Sequence, residues 1–157
     1  MLTRIFPKQI DNRFRGNTLA LWLFVPIVFV KLAISLAAIF TADGGTQSAD
    51  GIPLDTFPAA AAQAVIGVGA FLGLADLWLA LLFVLALVRY RALIPLMYAV
   101  IVADFIAHKG IGFMKPIVRM AGTASGSYVT WTLFALSVIG LVLALRGEGY
   151  RASSARP

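Results

Sequence analysis

FVPIVFVKLAISLAAIF, residues 24–40, is apolar but for one lysine and one serine. Extended back to Leu19, the run reaches the ~20 residues a helix needs to cross a bilayer core. Lys31 stands near its middle, where a charge is costly unless it has a partner or water. The rest of the chain has the same character. Hydrophobic residues make up 61% and charged residues 13%, against about 25% charged in a soluble domain. A soluble domain of 157 residues still exposes a large share of its surface, and too little of this one is polar. A lipid solvent removes that conflict.

Four segments are long and apolar enough to span: about 19–40, 61–88, 92–113 and 128–145. The second is long enough to tilt or to project beyond the bilayer. Pro58 suits the first turn of that helix, with Asp55 or Thr56 as its cap. The expected fold is therefore an all-α four-transmembrane-helix bundle, one membrane domain over residues 1–157.

Basic residues set an orientation. Arg4, Lys8, Arg13 and Arg15 precede the first span, Arg89 and Arg91 lie in the second connection, and Arg146, Arg151 and Arg156 follow the last span. With four spans these nine face one side, against Lys109, Lys115 and Arg119 on the other. The positive-inside rule then predicts cytoplasmic tails at 1–18 and 146–157 and an outer loop at 41–60. The compactness points to a bacterial inner membrane. The first span is too long for a cleaved signal core and no small-residue cleavage site follows it, so it reads as retained. RIFPKQIDNRFRG mixes Phe and Ile with basic residues and suits either the inner headgroup layer or a free basic tail. RASSARP reads as a frayed end.

Net charge is +6, yet the basic residues flank apolar segments and form no stripe with interleaved aromatics, which argues against nucleic acid. The absence of cysteine excludes disulfides, thiolate metal sites and cysteine nucleophiles. GVGAFLG lies inside an apolar helix with no preceding strand and is no nucleotide loop. No cofactor and no metal site is expected.

The candidate site is a charge cluster. Lys31 lies 12 residues from the inner edge of its span, and Asp76 and Asp104 lie equally far along theirs, ~18 Å at 1.5 Å per residue. One depth on three helices predicts Lys31 between the two aspartates, with one of them protonated because paired carboxylates raise each other. The helix faces fit: Phe24, Ile27, Val28, Lys31 and Ser35; Gly69, Gly73, Asp76 and Ala80; Ile101, Asp104 and His108; Thr130, Phe134, Ser137 and Leu141. His108, Ser35 and Ser137 are secondary polar candidates. Trp22, Trp78, Tyr98, Tyr128 and Trp131 read as lipid-facing or interfacial aromatics, with Trp78 the deeper one and assigned to packing.

Two functions lead, and a membrane-embedded lipid enzyme trails both. The first is a non-enzymatic accessory or homo-oligomeric membrane component whose Lys31, Asp76 and Asp104 fix the helix assembly. The rival is a small proton-linked transporter or ligand- or lipid-binding bundle that uses the same residues as its site. The expected partners are anionic lipid at the cytoplasmic face and a membrane protein or a second copy.

Overall fold

The computed structural model describes residues 5–7, 9–120 and 125–146. RASSARP and the first four residues lie outside them. Four helices are long and apolar enough to span a membrane: α1 (Thr18–Phe40), α2 (Ala59–Val88), α3 (Ile94–Met114) and α4 (Ser125–Leu145). The described residues contain no strand. The protein is an all-α, multi-pass four-helix bundle.

Each helix end has a local cause. The Asn17 side chain caps α1 by accepting the Leu19 N–H at 2.9 Å, as a short polar side chain does at an N-cap. The helix runs through Pro26 and ends at Thr41, whose hydroxyl donates to the Ala37 carbonyl at 2.6 Å. Pro58 is itself the cap residue of α2, with no side-chain cap. Asp55 and Thr56, expected as caps, sit instead in a 3-10 turn, Leu54–Thr56, where the Thr56 hydroxyl donates to the Pro53 carbonyl at 2.8 Å. A second 3-10 turn, Arg91–Leu93, joins α2 to α3.

Helix α1 packs mainly against α2 and α4, while α3 packs on α4. Consecutive helices run antiparallel. Phe24 of α1 meets Phe83 of α2 with ring centroids 6.0 Å apart, and about three to four turns further along α1 Ser35 and Ala38 meet Gly73. A Cβ at Gly73 would fall 2.6 Å from the Ala38 Cβ, so the small residue is what lets α1 and α2 close. Helices α2 and α3 make little contact beyond their connection, which leaves a seam on that side.

The core lies toward the end that carries the N-terminal segment. Tyr98, Phe24, Phe83, Ile27 and Ile94 are fully buried there. The Tyr98 ring packs edge-on against Phe24 at 5.0 Å, and its hydroxyl donates to the Ala20 carbonyl at 2.7 Å. A Cβ on Gly140 would collide with that ring. Tyr98 is thus a core residue that ties α1, α3 and α4 together, not the lipid-facing aromatic its sequence context suggests. The buried stripe of α4 is Leu133, Ser137, Gly140 and Ala144. Thr130, expected on that face, is exposed and donates to the Gly126 carbonyl at 2.7 Å. The true stripe is rotated because Gly140, with no side chain to score as apolar, marks its centre.

Both ends of the bundle are closed by main-chain bonds. At the N-terminal end the Asp11 carbonyl accepts the Ala92 N–H at 3.3 Å and the Asn17 N–H donates to the Leu143 carbonyl at 3.4 Å. Residues 11–17 therefore form a strap across the ends of α3 and α4. At the opposite end Asp43 organises a loop by accepting the Ser48 and Gly45 N–H groups at 2.7 and 3.1 Å. Gly44 and Gly51, with φ of 59° and 74°, supply the left-handed turns that other residues resist. The Gly51 and Ala49 carbonyls then accept the Met120 and Gly126 N–H groups at 2.8 and 3.0 Å, joining the two loops of that end.

Candidate functional site

Lys31 is one α-helical stripe with Phe24 and Ser35, and the structure gives it one partner. Its ammonium lies 3.6 Å from Asp104 Oδ2 on α3. The side chains are 16% and 29% exposed, so the pair is half-buried within the spanning region. A charge there needs such a partner. Among the described residues the pair is the one ion pair that links two spans.

Asp104 also faces His108 one turn on. His108 Nδ1 lies 3.2 Å from Asp104 Oδ1 and 3.1 Å from the Asp104 carbonyl. The histidine side chain is 71% exposed, so it borders the pair from the lipid or headgroup side. The carboxylate thus bridges a lysine and a histidine. Among the described residues no three of His, Asp and Glu converge as metal ligands would.

Asp76 is not in this arrangement. It forms no ion pair with Lys31 or with any other described residue, and its side chain accepts no hydrogen bond from them. The expected three-residue cluster is therefore corrected to a Lys31–Asp104 pair with His108 beside it. Equal depth brings three groups to one level but does not bring them within reach. Asp76 lies three residues from Gly73 and four from Ala80, both buried in the bundle, so it belongs to the α2 stripe that faces α1. The Phe24–Phe83 and Ser35–Gly73 contacts bracket Lys31 and Asp76 at the same height, where Asp104 holds the ammonium.

Ser35 is buried and donates to the Lys31 carbonyl at 2.8 Å. That is the back-bonding usual for a serine inside a helix, and its hydroxyl is used up there. Ser137 is fully buried and its hydroxyl has no partner among the described residues. Neither serine hydroxyl bonds to the charged side-chain groups of the ion pair.

Two features escaped the sequence. Lys109 Nζ lies over the rings of Phe105 and Trp131, 5.3 and 5.1 Å from their centroids, and Phe105 stacks on Phe134 at 4.1 Å. This cation–π group fixes the α3–α4 packing at the end remote from the strap. The signal was present, because aromatics at 131 and 134 lie one turn apart on α4, yet hydropathy counts them only as apolar. The second is a shallow groove of about 270 Å³ between Pro26, Ile27 and Val30 of α1 and Tyr128, Thr132 and Leu136 of α4. Its walls carry no charge, and it excludes Lys31, Asp76 and Asp104.

Against known protein families, curated proteins and solved structures, the chain finds no match.

Proposed function

We propose that this protein is a non-enzymatic component of a membrane assembly, an accessory subunit or homo-oligomer, in which the Lys31–Asp104 pair locks the register of α1 against α3. The pair carries this reading. Its two charges satisfy each other inside one chain, and it joins two helices that otherwise meet chiefly through Tyr98. The groove described above is apolar and lies apart from the charges, which suits a structural role for them. In this reading the membrane is a bacterial inner membrane with both termini cytoplasmic, as the nine-to-three distribution of basic residues favours.

The test is a pair of variants. Lys31→Met alone leaves Asp104 with only the exposed His108 beside it and is expected to cost about 2–4 kcal/mol of bundle stability. Lys31→Met with Asp104→Leu is expected to recover most of that loss and to keep the native oligomeric state by native mass spectrometry. A double variant as unstable as the single one defeats the reading. Orientation has its own check, since the chain has no cysteine. A cysteine at exposed Ser48 should react with an impermeant maleimide on intact cells, and one at exposed Asn12 should not.

One observation favours a second reading. Asp76 lies in a spanning helix without a partner among the described residues, and an intramembrane acid is a functional candidate by default. Asp76 would then be the proton-carrying group of a small transporter or ligand-binding bundle, exchanging Lys31 with Asp104. A protonated-carboxyl infrared band that disappears in Asp76→Asn supports this, and a band unmoved by that change counts against it.

A further inference from the structure

The strap end of the bundle differs in chemistry from the rest of the surface. Its described residues include Arg13, Arg15, Arg89, Arg91 and Arg146 against one acid, Asp11. Two of these arginines have intramolecular roles. Arg15 pairs with Asp11 at 2.6 Å, and the Arg91 Nε–H donates to the Leu87 carbonyl at 3.0 Å, closing the end of α2. The guanidinium groups of Arg13, Arg89 and Arg146 are exposed and form no ion pair among the described residues.

The fold gathers these three groups from distant parts of the chain. Arg89 is the C-cap of α2, and Arg146 directly follows α4. Arg13 lies in the strap that is bonded to Ala92 on one side and Leu143 on the other. The segment leading into the strap presents Phe6 and Ile10, 62% and 58% exposed. Trp22, 69% exposed, stands about one turn into α1. Free cations alone would suit water, and exposed apolar groups alone would suit hydrocarbon. Both on one segment at the end of four spans suit the boundary between them.

We propose that the strap end is a binding surface for anionic phospholipid. Arg13, Arg89 and Arg146 take the headgroup phosphates, and Phe6 and Ile10 seat in the acyl boundary. Guanidinium and phosphate match as a two-pronged hydrogen-bonded pair. The three unmatched positive charges select headgroups of net negative charge over zwitterionic ones. The strap holds Arg13 in place before lipid arrives, which reduces the ordering cost of binding. This surface is independent of the Lys31–Asp104 pair and of the function assigned to it.

The chain's three tryptophans provide the probe. Trp78→Phe and Trp131→Phe together leave Trp22 as the single emitter, at the strap end. The protein is placed in bilayers that mix phosphatidylcholine and phosphatidylglycerol, one of the two brominated at a time. Brominated phosphatidylglycerol is expected to quench Trp22 at severalfold lower mole fraction than brominated phosphatidylcholine. Arg13→Gln, Arg89→Gln and Arg146→Gln should each reduce that preference by up to about fivefold, the factor that ~1 kcal/mol per basic residue represents. The triple variant should bring it to unity. Raising salt to about 1 M, where the Debye length is ~3 Å, should also shrink it in the unsubstituted strap. Equal quenching by the two lipids overturns the proposal. So does a preference that survives both the triple substitution and high salt.

Discussion

Main-chain bonds cross both ends of the bundle, but what lies beneath them differs. At the strap end the helices converge on a dry aromatic core, with Phe24 in contact with both Phe83 and Tyr98 and Gly140 making room for the Tyr98 ring. At the opposite end the long loops join through main-chain bonds from Met120 to Gly51 and from Gly126 to Ala49, organised by the Asp43 carboxylate. The first end depends on shape and tolerates no added volume. The second depends on hydrogen bonds in a wet setting, where each bond is worth less. The Lys31–Asp104 pair lies between them, above the aromatic core and below the loops. Substitutions should therefore cost most at the strap end and least where water replaces what is lost.

Of the substitutions at the two ends, Gly140→Ala is expected to have the largest effect. The new Cβ meets the Tyr98 ring, and the ring is held by Phe24 on α1 and by its bond to Ala20. Overpacking of this kind costs about 1–3 kcal/mol, and a three-helix junction that cannot yield belongs at the upper end. Thermal unfolding in detergent should show it. A variant as stable as the parent would mean that the convergence at this end is looser than the contacts imply. Tyr98→Phe sharpens the same point, because it keeps the ring and removes only the 2.7 Å bond to Ala20. Its expected cost is about 1 kcal/mol.

The loop end responds to pH instead. The Ser48 main-chain N–H, with the Ser48 hydroxyl and the Gly45 N–H, holds the Asp43 carboxyl at about 2, below its ordinary 3.8. A carboxyl depressed in the folded state adds stability above the unfolded value, and that stability is lost as pH falls through the folded one. The contribution is present at pH 5 and fades between about pH 4 and pH 2. Because the group is near water, its worth is discounted to under ~1 kcal/mol. Asp43→Asn should remove the acid-induced shift of the Ser48 amide resonance while leaving the far end unchanged. A loop that keeps its order at pH 2 in the parent would show that the glycine turns, not the carboxylate, hold it.

How much of this was legible in the sequence depends on the kind of force. The four helices were legible because lipid demands long apolar runs. The span read at 19–40 is Thr18–Phe40, and the one read at 92–113 is Ile94–Met114. The meeting of Lys31 with Asp104 was legible from common depth on two helices. Depth could not exclude Asp76, because a common level does not decide which carboxylate comes within reach of the ammonium. Tyr98 and Gly140 illustrate the same limit, since a buried aromatic and a lipid-facing one score alike in hydropathy. The strap was legible only as composition. Its anchors are the main-chain groups of Asp11 and Asn17, which any residue would offer.

Ser137 gives the smallest expected effect and separates the two ends most finely. It is fully buried, on the stripe of α4 that includes Gly140, and its hydroxyl has no partner among the described residues. If the bundle is dry at this level, as the aromatic packing below it requires, the hydroxyl is an unmet polar group whose burial costs free energy. Ser137→Ala then removes a liability and opens space for only one oxygen atom, so stability should rise by a few tenths of a kcal/mol. The same change at Ser35, whose hydroxyl donates to the Lys31 carbonyl at 2.8 Å, should lower it slightly. A loss of more than ~1 kcal/mol at Ser137 would reverse the inference. It would mean that a water or a partner group satisfies the hydroxyl, and that the polar level marked by Lys31 and Asp104 extends across the bundle to α4.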